Sequence, residues 1–453
     1  MQPDTTLDTR FPAPPGGRDR RKTQIVVVGG GAGGLELVRR LGAKYGRRSH
    51  DIILVDQNLS HIWKPLLHEV AAGSLDANLD EVGYRGHCAR WGYRFFQGRL
   101  ESIDRANKTI TLAADYDDRG DEVLGAHTIR YDMLVLAVGS VSNDFGVPGV
   151  KEHCLYLDSR IQAERFRKRL LNDCLRVSRA MIADPNADAR VKVGIVGAGA
   201  TGVELAAELY NAAGALRYYG LEVFDESRLD VTLIEAGPRI LPALPERLSA
   251  SAREELTALG VEVRENVQIV EAKRRGLVTS KGEEIEADLM VWAAGVKGAD
   301  FLATLGLEVT PRNQIVVNEA LQSVTDPDIF ALGDCAFLTD ADGKPIPPRA
   351  QAAHQMADTV FQNLNLYQQA RQLKHFVYQD NGSLISLSRF TTVGSLMGNL
   401  IGGAMAVEGR IARFIYTSLY RMHLIGIHGW LKGMGLMLIG RVNRIVRPKL
   451  KLH

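Results

Sequence analysis

Two glycine-rich turns of one type, GGGAGG at Gly29 to Gly34 and GAGATG at Gly197 to Gly202, constrain this 453-residue chain more than any other feature. Each follows a short apolar run, Ile25 to Val28 and Val193 to Val196, that reads as a buried parallel strand. In a strand–turn–helix unit of this kind the first glycine permits the tight turn. The second lets the backbone approach a pyrophosphate, and the third lets the following helix pack closely on the strand. Gly29, Gly31 and Gly34 fill these roles in the first turn, and Gly197, Gly199 and Gly202 in the second. The phosphates would sit at the helix N-terminus, where free N–H groups and the helix dipole favour an anion. One such turn alone is also compatible with an ordinary tight connection in an α/β protein.

The acids that should follow are present. Asp56 ends the strand Ile52 to Val55 at about the expected twenty-residue spacing, and Glu235 ends Val231 to Ile234. The second interval is longer because an insertion, Arg217 to Leu229, extends the crossover. Glu235 would accept from a free 2′-hydroxyl and repel a 2′-phosphate, which favours NADH over NADPH. One nicotinamide enzyme needs one such site. Two most simply house a non-covalently bound flavin dinucleotide, FAD, and a second dinucleotide that carries electrons. Ile329 to Asp334 (IFALGD) is a further buried strand, stopping at Gly333 and Asp334. An acid there can hold hydroxyls of an extended flavin dinucleotide, although the segment taken in isolation reads better as a plain strand-ending turn.

Length and 45% hydrophobic content allow about three domains, each with its own core. The fold class expected is α/β, with two Rossmann-like dinucleotide-binding domains and a C-terminal membrane-associating helical region. Residues 1–22 read as a disordered tail, 23–148 and 296–374 as two parts of the FAD domain, 149–295 as the NADH domain, and 375–453 as the anchoring region. "YDMLVLAVG" at 131–139 is echoed by "ADLMVWAAG" at 287–295, which suggests two domains of one design and adds Gly295 to the second site. A net charge of +2 gives no reason to invoke nucleic acid. The four cysteines are scattered with no C-x-x-C, which fits a reducing compartment. No metal site is expected: His423 and His428, the most suggestive pair, lie five apart and on different helix faces.

Gly29 to Gly34, Gly197 to Gly202 and FALGDCA in this order resemble the flavoproteins with two dinucleotide-binding domains. HIWKPLLHEVAAGSLD, GAGATGVELAAEL, LIEAGPRILPALP, MVWAAGVK and PPRAQAAHQMA narrow the resemblance to the type II NADH:quinone oxidoreductases, the single-subunit, non-proton-pumping NADH dehydrogenases of bacterial respiratory chains. It extends from about Lys22 to His453. The resemblance implies that NADH reduces FAD and that the reduced flavin gives two electrons to a membrane quinone, ubiquinone or menaquinone. It places Gln351 and Gln355 on the quinone side of the flavin, and Glu204 where the nicotinamide and quinone sites meet, as a modulator of flavin charge or a proton relay. By residue type alone, the glutamines would serve as solvent-facing helix positions and Glu204 as an acid complementing a helix dipole. The N-terminus of the helix after Pro347 and Pro348 could stabilise a reduced, anionic ring.

Residues 409–453 contain nine Lys or Arg and no Asp or Glu, between apolar runs far shorter than the roughly twenty residues that span a bilayer. Such a tail suits the interface of anionic lipids and a peripheral protein on the cytoplasmic face of a bacterial inner membrane, with a packed amphipathic helix or a homodimer contact as the alternative. Two other functions fit parts of the pattern. A sulfide:quinone oxidoreductase would need a cysteine pair, for which only Cys154 and Cys335 are conceivable. A flavin redox sensor would show no turnover.

Overall fold

The computed structural model describes residues 22–46, 48–380, 382–387, 391–396, 405–408, 423–430, 432–435 and 450. The N-terminal tail expected over 1–22 therefore lies outside the described residues apart from Lys22, as does most of the basic segment 409–453. Two compact units divide the chain. The first holds the described residues of Met1–Ile62, Glu81–Val141 and Lys297–Gln379, and the second those of Trp63–Asp80, Ser142–Val296 and Asp380–His453.

The first unit is built on a five-stranded parallel sheet in the order Ile329–Ala331, Met133–Leu136, Thr23–Val28, His50–Asp56, Arg94–Gln97. Its central strands are near-continuous β-branched and leucine runs because both faces are covered, and Ile25, Val26, Val27, Ile53, Leu54 and Val135 are wholly buried. A three-stranded antiparallel sheet, with Thr109–Leu112 between Leu100–Asp104 and His127–Arg130, forms a satellite. The second unit repeats the design with a four-stranded parallel sheet in the order Glu262–Arg264, Leu229–Ile234, Val191–Val196, Leu289–Trp292. The helices Leu67–Ala72, Arg160–Ala183 and Ala200–Leu216 pack together in this unit. The fold is thus the expected α/β class with parallel sheets.

Within the first unit the helix Ala32–Leu41 packs on Ala350–Gln368. Arg40 reaches Asp358 at 2.7 Å, and His354 Nδ1 meets Glu36 Oε2 at 2.5 Å. The extended segment 371–380 then runs back along the second helix and is fastened by two amide side chains, two helical turns apart on one face. Asn363, fully buried, donates to the carbonyls of Ala320 (3.0 Å) and Lys374 (2.9 Å) and accepts from Lys374 N (2.8 Å). Gln355 donates to the Gln379 carbonyl (2.8 Å) and accepts from Gln379 N (2.9 Å). Each amide imitates a rung of a β-ladder, and together they return the chain to the N-terminal end of the helix.

Candidate functional site

The two glycine turns are geometric copies. Gly29 and Gly197 sit at φ +103° and +101°, a region that L side chains rarely adopt. Their N–H groups donate to the carbonyls of Val55 and Ile234, both at 2.8 Å. A Cβ on Gly34 would collide with the Gly29 carbonyl, and one on Gly202 with the Gly197 carbonyl. The middle glycines behave differently. A Cβ on Gly31 would meet only the Ala137 carbonyl, at 4.0 Å, and one on Gly199 would meet nothing within 4 Å. Both have ordinary backbone angles, φ −69° and −73°. Neither the fold nor the backbone calls for glycine at Gly31 or Gly199, so the space beside them suits a ligand that approaches the main chain. Both residues are N-caps without a side-chain cap, leaving the first N–H groups of the helices Ala32–Leu41 and Ala200–Leu216 to an anion. The residues fit a pyrophosphate in each unit.

The acids match in the same way. Asp56 Oδ2 accepts from Gly30 N at 2.7 Å, and its Oδ1 from Asn58 N at 2.8 Å. Glu235 Oε2 accepts from Ala198 N at 2.9 Å, and its Oε1 from Gly237 N at 2.8 Å. Each carboxylate thus ties the second residue of its glycine turn to the end of the next strand. Arg239, the cation nearest in sequence to Glu235, donates to the Leu244 and Pro242 carbonyls at 2.7 and 3.0 Å. Its guanidinium is occupied by its own loop.

The carbonyl one residue before each open glycine is gripped differently in the two units. Gly30 O accepts from Tyr84 Oη (2.8 Å) and from His61 Nδ1 (2.9 Å). Ala198 O accepts from one main-chain amide, Leu241 N (2.8 Å), and Leu241 itself is left-handed at φ +48°. Because a peptide N–H points opposite to its C=O, fixing the Gly30 carbonyl also aims the Gly31 N–H. Sequence reading missed Tyr84 and Leu241.

Gly333, at φ +73°, and Asp334 follow the edge strand Ile329–Ala331. Asp334 Oδ2 accepts from Ser140 Oγ at 2.7 Å, and its carbonyl from Gln314 Nε2 at 3.0 Å. A Cβ on Gly333 would touch Ala353 Cβ at 3.4 Å, and one on Gly33 would meet the Ala353 carbonyl at 2.7 Å. The first unit therefore brings its glycine turn, Asp334 and the N-terminal end of the helix Ala350–Gln368 into one neighbourhood. Gln351 and Gln355 flank Ala353 in that helix. Gln351 Nε2 donates to Tyr378 Oη at 3.0 Å, whereas Gln355 engages both its amide groups with Gln379.

In the second unit Glu204 and Glu208 lie one turn apart on the helix Ala200–Leu216, and both are buried. Glu204 Oε2 is 3.5 Å from His68 Nδ1. Burial pulls His68 down to about 4, against a smaller opposing effect of its hydrogen bond with the Pro65 carbonyl. At neutral pH the ring is uncharged, so this contact is not an ion pair. Gly295, at φ +89°, lies three residues beyond the strand Leu289–Trp292, after Ala293, whose N–H donates to Val196 O at 2.7 Å. His423 packs against Trp63 with ring centroids 3.9 Å apart and the ring planes tilted by 31°.

A family model described as pyridine nucleotide-disulphide oxidoreductase matches residues 23–357. The chain is 46% identical to a type II NADH:quinone oxidoreductase of Haemophilus influenzae, covering 95% of this chain and 99% of the relative. It is 31% identical to one of Staphylococcus aureus over 86% of this chain and 93% of the relative. Among solved structures, the NDH2 of Plasmodium falciparum in complex with NADH aligns with TM-score 0.78 at 19% identity, covering 95% of this chain and all of that one. The sulfide:quinone oxidoreductase of Aquifex aeolicus aligns with TM-score 0.69 at 18% identity, over 93% and 95% of the two chains. Both structural likenesses speak to the fold.

Proposed function

Since this chain belongs to the type II NADH:quinone oxidoreductases, we propose that it binds FAD in its first unit and NADH in its second and reduces a membrane ubiquinone or menaquinone without pumping protons. The duplicated cradle carries this reading, above all the open Cβ positions at Gly31 and Gly199. FAD, when bound, takes a hydride from NADH and supplies two electrons to the quinone.

The chain's own groups would divide the remaining work. The Gly31 and Gly199 ends of their helices bind the two pyrophosphates, and Asp56 and Glu235 orient the riboses. Glu235, with Arg239 engaged by its own loop, disfavours a 2′-phosphate. Asp334, held by Ser140, orients the flavin's hydroxyl chain. The N-terminal end of the helix Ala350–Gln368 stabilises negative charge on the reduced ring. Gln351 contacts the quinone, while Gln355 acts chiefly by holding Gln379 beside it. Glu204, buried beside neutral His68, tunes the local charge or passes a proton towards the quinol. The basic C-terminal segment would hold the protein to anionic lipids on the cytoplasmic face of the inner membrane, as a monomer or a homodimer.

Anaerobic stopped-flow reduction by NADH and by NADPH, followed by reoxidation with a quinone, tests the scheme. NADH should bleach the flavin rapidly and NADPH slowly, and quinone should restore the colour. Glu235→Ala should raise the KM for NADH by roughly tenfold or more, the effect of losing a hydrogen bond to a charged group. Gln351→Ala should slow reoxidation and leave reduction nearly unchanged. A colourless purified protein, or bleaching by sulfide in place of NADH, would refute the proposal.

A further inference from the structure

We propose that the outward face of the helix Arg160–Ala183 is a second docking surface for an anionic lipid bilayer, separate from the C-terminal segment. The proposal rests on the reading that the enzyme works where quinone is dissolved. The helix has 24 residues, is fixed at its start by a capping box from Ser159 and Gln162, and buries Ala163, Phe166, Leu170, Cys174 and Val177. At 1.5 Å per residue it presents about 36 Å of surface on its other side.

That outer side is ordered. Ile161, Leu175 and Ile182 are 66%, 44% and 69% exposed. They fall with exposed Lys168 on one line at seven-residue steps, which drifts only about 20° per step on a straight helix. Beside this aliphatic edge lies a cationic one, made of exposed Arg165, Arg169 and Arg179. The two acids of the helix are already engaged, Glu164 with Arg160 at 2.9 Å and Asp173 with Arg176 at 3.2 Å. Among the described residues, Lys168, Arg165, Arg169 and Arg179 have no acidic partner. Aliphatic side chains entering the acyl boundary while Lys and Arg meet anionic headgroups is the pattern of a helix lying in a membrane interface. A second copy of the chain meeting this face through a two-fold axis would set like charges against each other.

The test uses the intact flavoprotein with an environment-sensitive fluorophore on Leu175→Cys or Ile182→Cys, and on Tyr116→Cys of the other unit as control. Vesicles of phosphatidylglycerol mixed with phosphatidylcholine should shift the emission of the helix probes to the blue and leave the control unmoved. Phosphatidylcholine alone should give no shift, and salt should reverse it. Joint reversal of Arg165, Lys168, Arg169 and Arg179 to Glu should lower the affinity of the labelled face at least about tenfold. An unshifted helix probe on protein that sediments with the anionic vesicles would overturn the proposal. So would a shift with polyglutamate but not with lipid, which would assign the face to an acidic protein. Turnover of the same preparation with NADH and a water-soluble quinone reports separately on the enzymatic reading.

Discussion

At the residue scale, glycines of the same motif have different reasons to be glycine. Gly31→Ala should leave the unfolding midpoint nearly unchanged and lower flavin content, read as absorbance per protein. Gly34→Ala should destabilise the first unit outright, because its Cβ would meet the Gly29 carbonyl. Gly199→Ala should keep its flavin and raise the KM for NADH. If Gly31→Ala retained full flavin and Gly199→Ala an unchanged KM, the open spaces would have another purpose. His68 supports a pH prediction. Its folded value of about 4 lies below the usual 6.5, so between these values the unfolded chain binds more protons. Stability is therefore fully present above about pH 6.5 and declines as pH falls towards about 4, by up to about 3 kcal/mol. Denaturant titrations across that window should show the slope in the native protein and a flatter one in His68→Gln. The glycines and acids were legible in sequence because their chemistry requires fixed local spacing. Tyr84 and His61 were not, since they reach Gly30 across 54 and 31 residues, and only the folded chain brings them there.

At the scale of elements, the segment 371–380 shows where periodicity says nothing. Its sequence, RQLKHFVYQD, alternates too weakly to read as a strand, and it forms none. Its path is set by Asn363 and Gln355, which lie in the helix that sequence reading did identify. Asn363→Ala would leave the Lys374 N–H and carbonyl without their side-chain partner beneath the strap, a loss of about 2 kcal/mol or more. Gln355→Ala lies at the partly exposed end and should cost less, while releasing the main chain of Gln379. Hydrogen exchange over 374–380 should rise in both variants, and more widely in Asn363→Ala. If quinone turnover fell in Gln355→Ala without any rise in exchange, Gln355 would act on the substrate directly and not through the strap.

For the whole molecule, five collinear motifs made the family legible from sequence, and the parallel sheets follow from the buried β-branched runs that carry them. The insertion at Arg217 to Leu229 needed the structure, where short helical turns at Arg217–Tyr219 and Glu226–Arg228 absorb it before the strand Leu229–Ile234 begins. The four cysteines, scattered in sequence, differ in their surroundings. Cys154, Cys174 and Cys335 are buried, while Cys88 is partly exposed. Burial pushes the Cys154 thiol up to about 12 and that of Cys335 to about 11, so neither forms a thiolate near neutral pH. Cys154→Ala and Cys335→Ala should each keep NADH:quinone turnover within about threefold of the native protein, the change reflecting packing alone. Loss of turnover in either variant, with flavin content intact, would point to thiol chemistry.

Under the proposed assignment of FAD to the first unit and NADH to the second, the unequal grips on the two carbonyls bear on how long each nucleotide stays. The Gly30 carbonyl is secured by two side chains from separate stretches of its unit, whereas the Ala198 carbonyl is held by a single amide, that of a left-handed leucine. A prosthetic group retained through every catalytic cycle calls for the first arrangement. A reductant that must depart once oxidised, making way for the next molecule, is served by the second, whose release asks only one loop to yield.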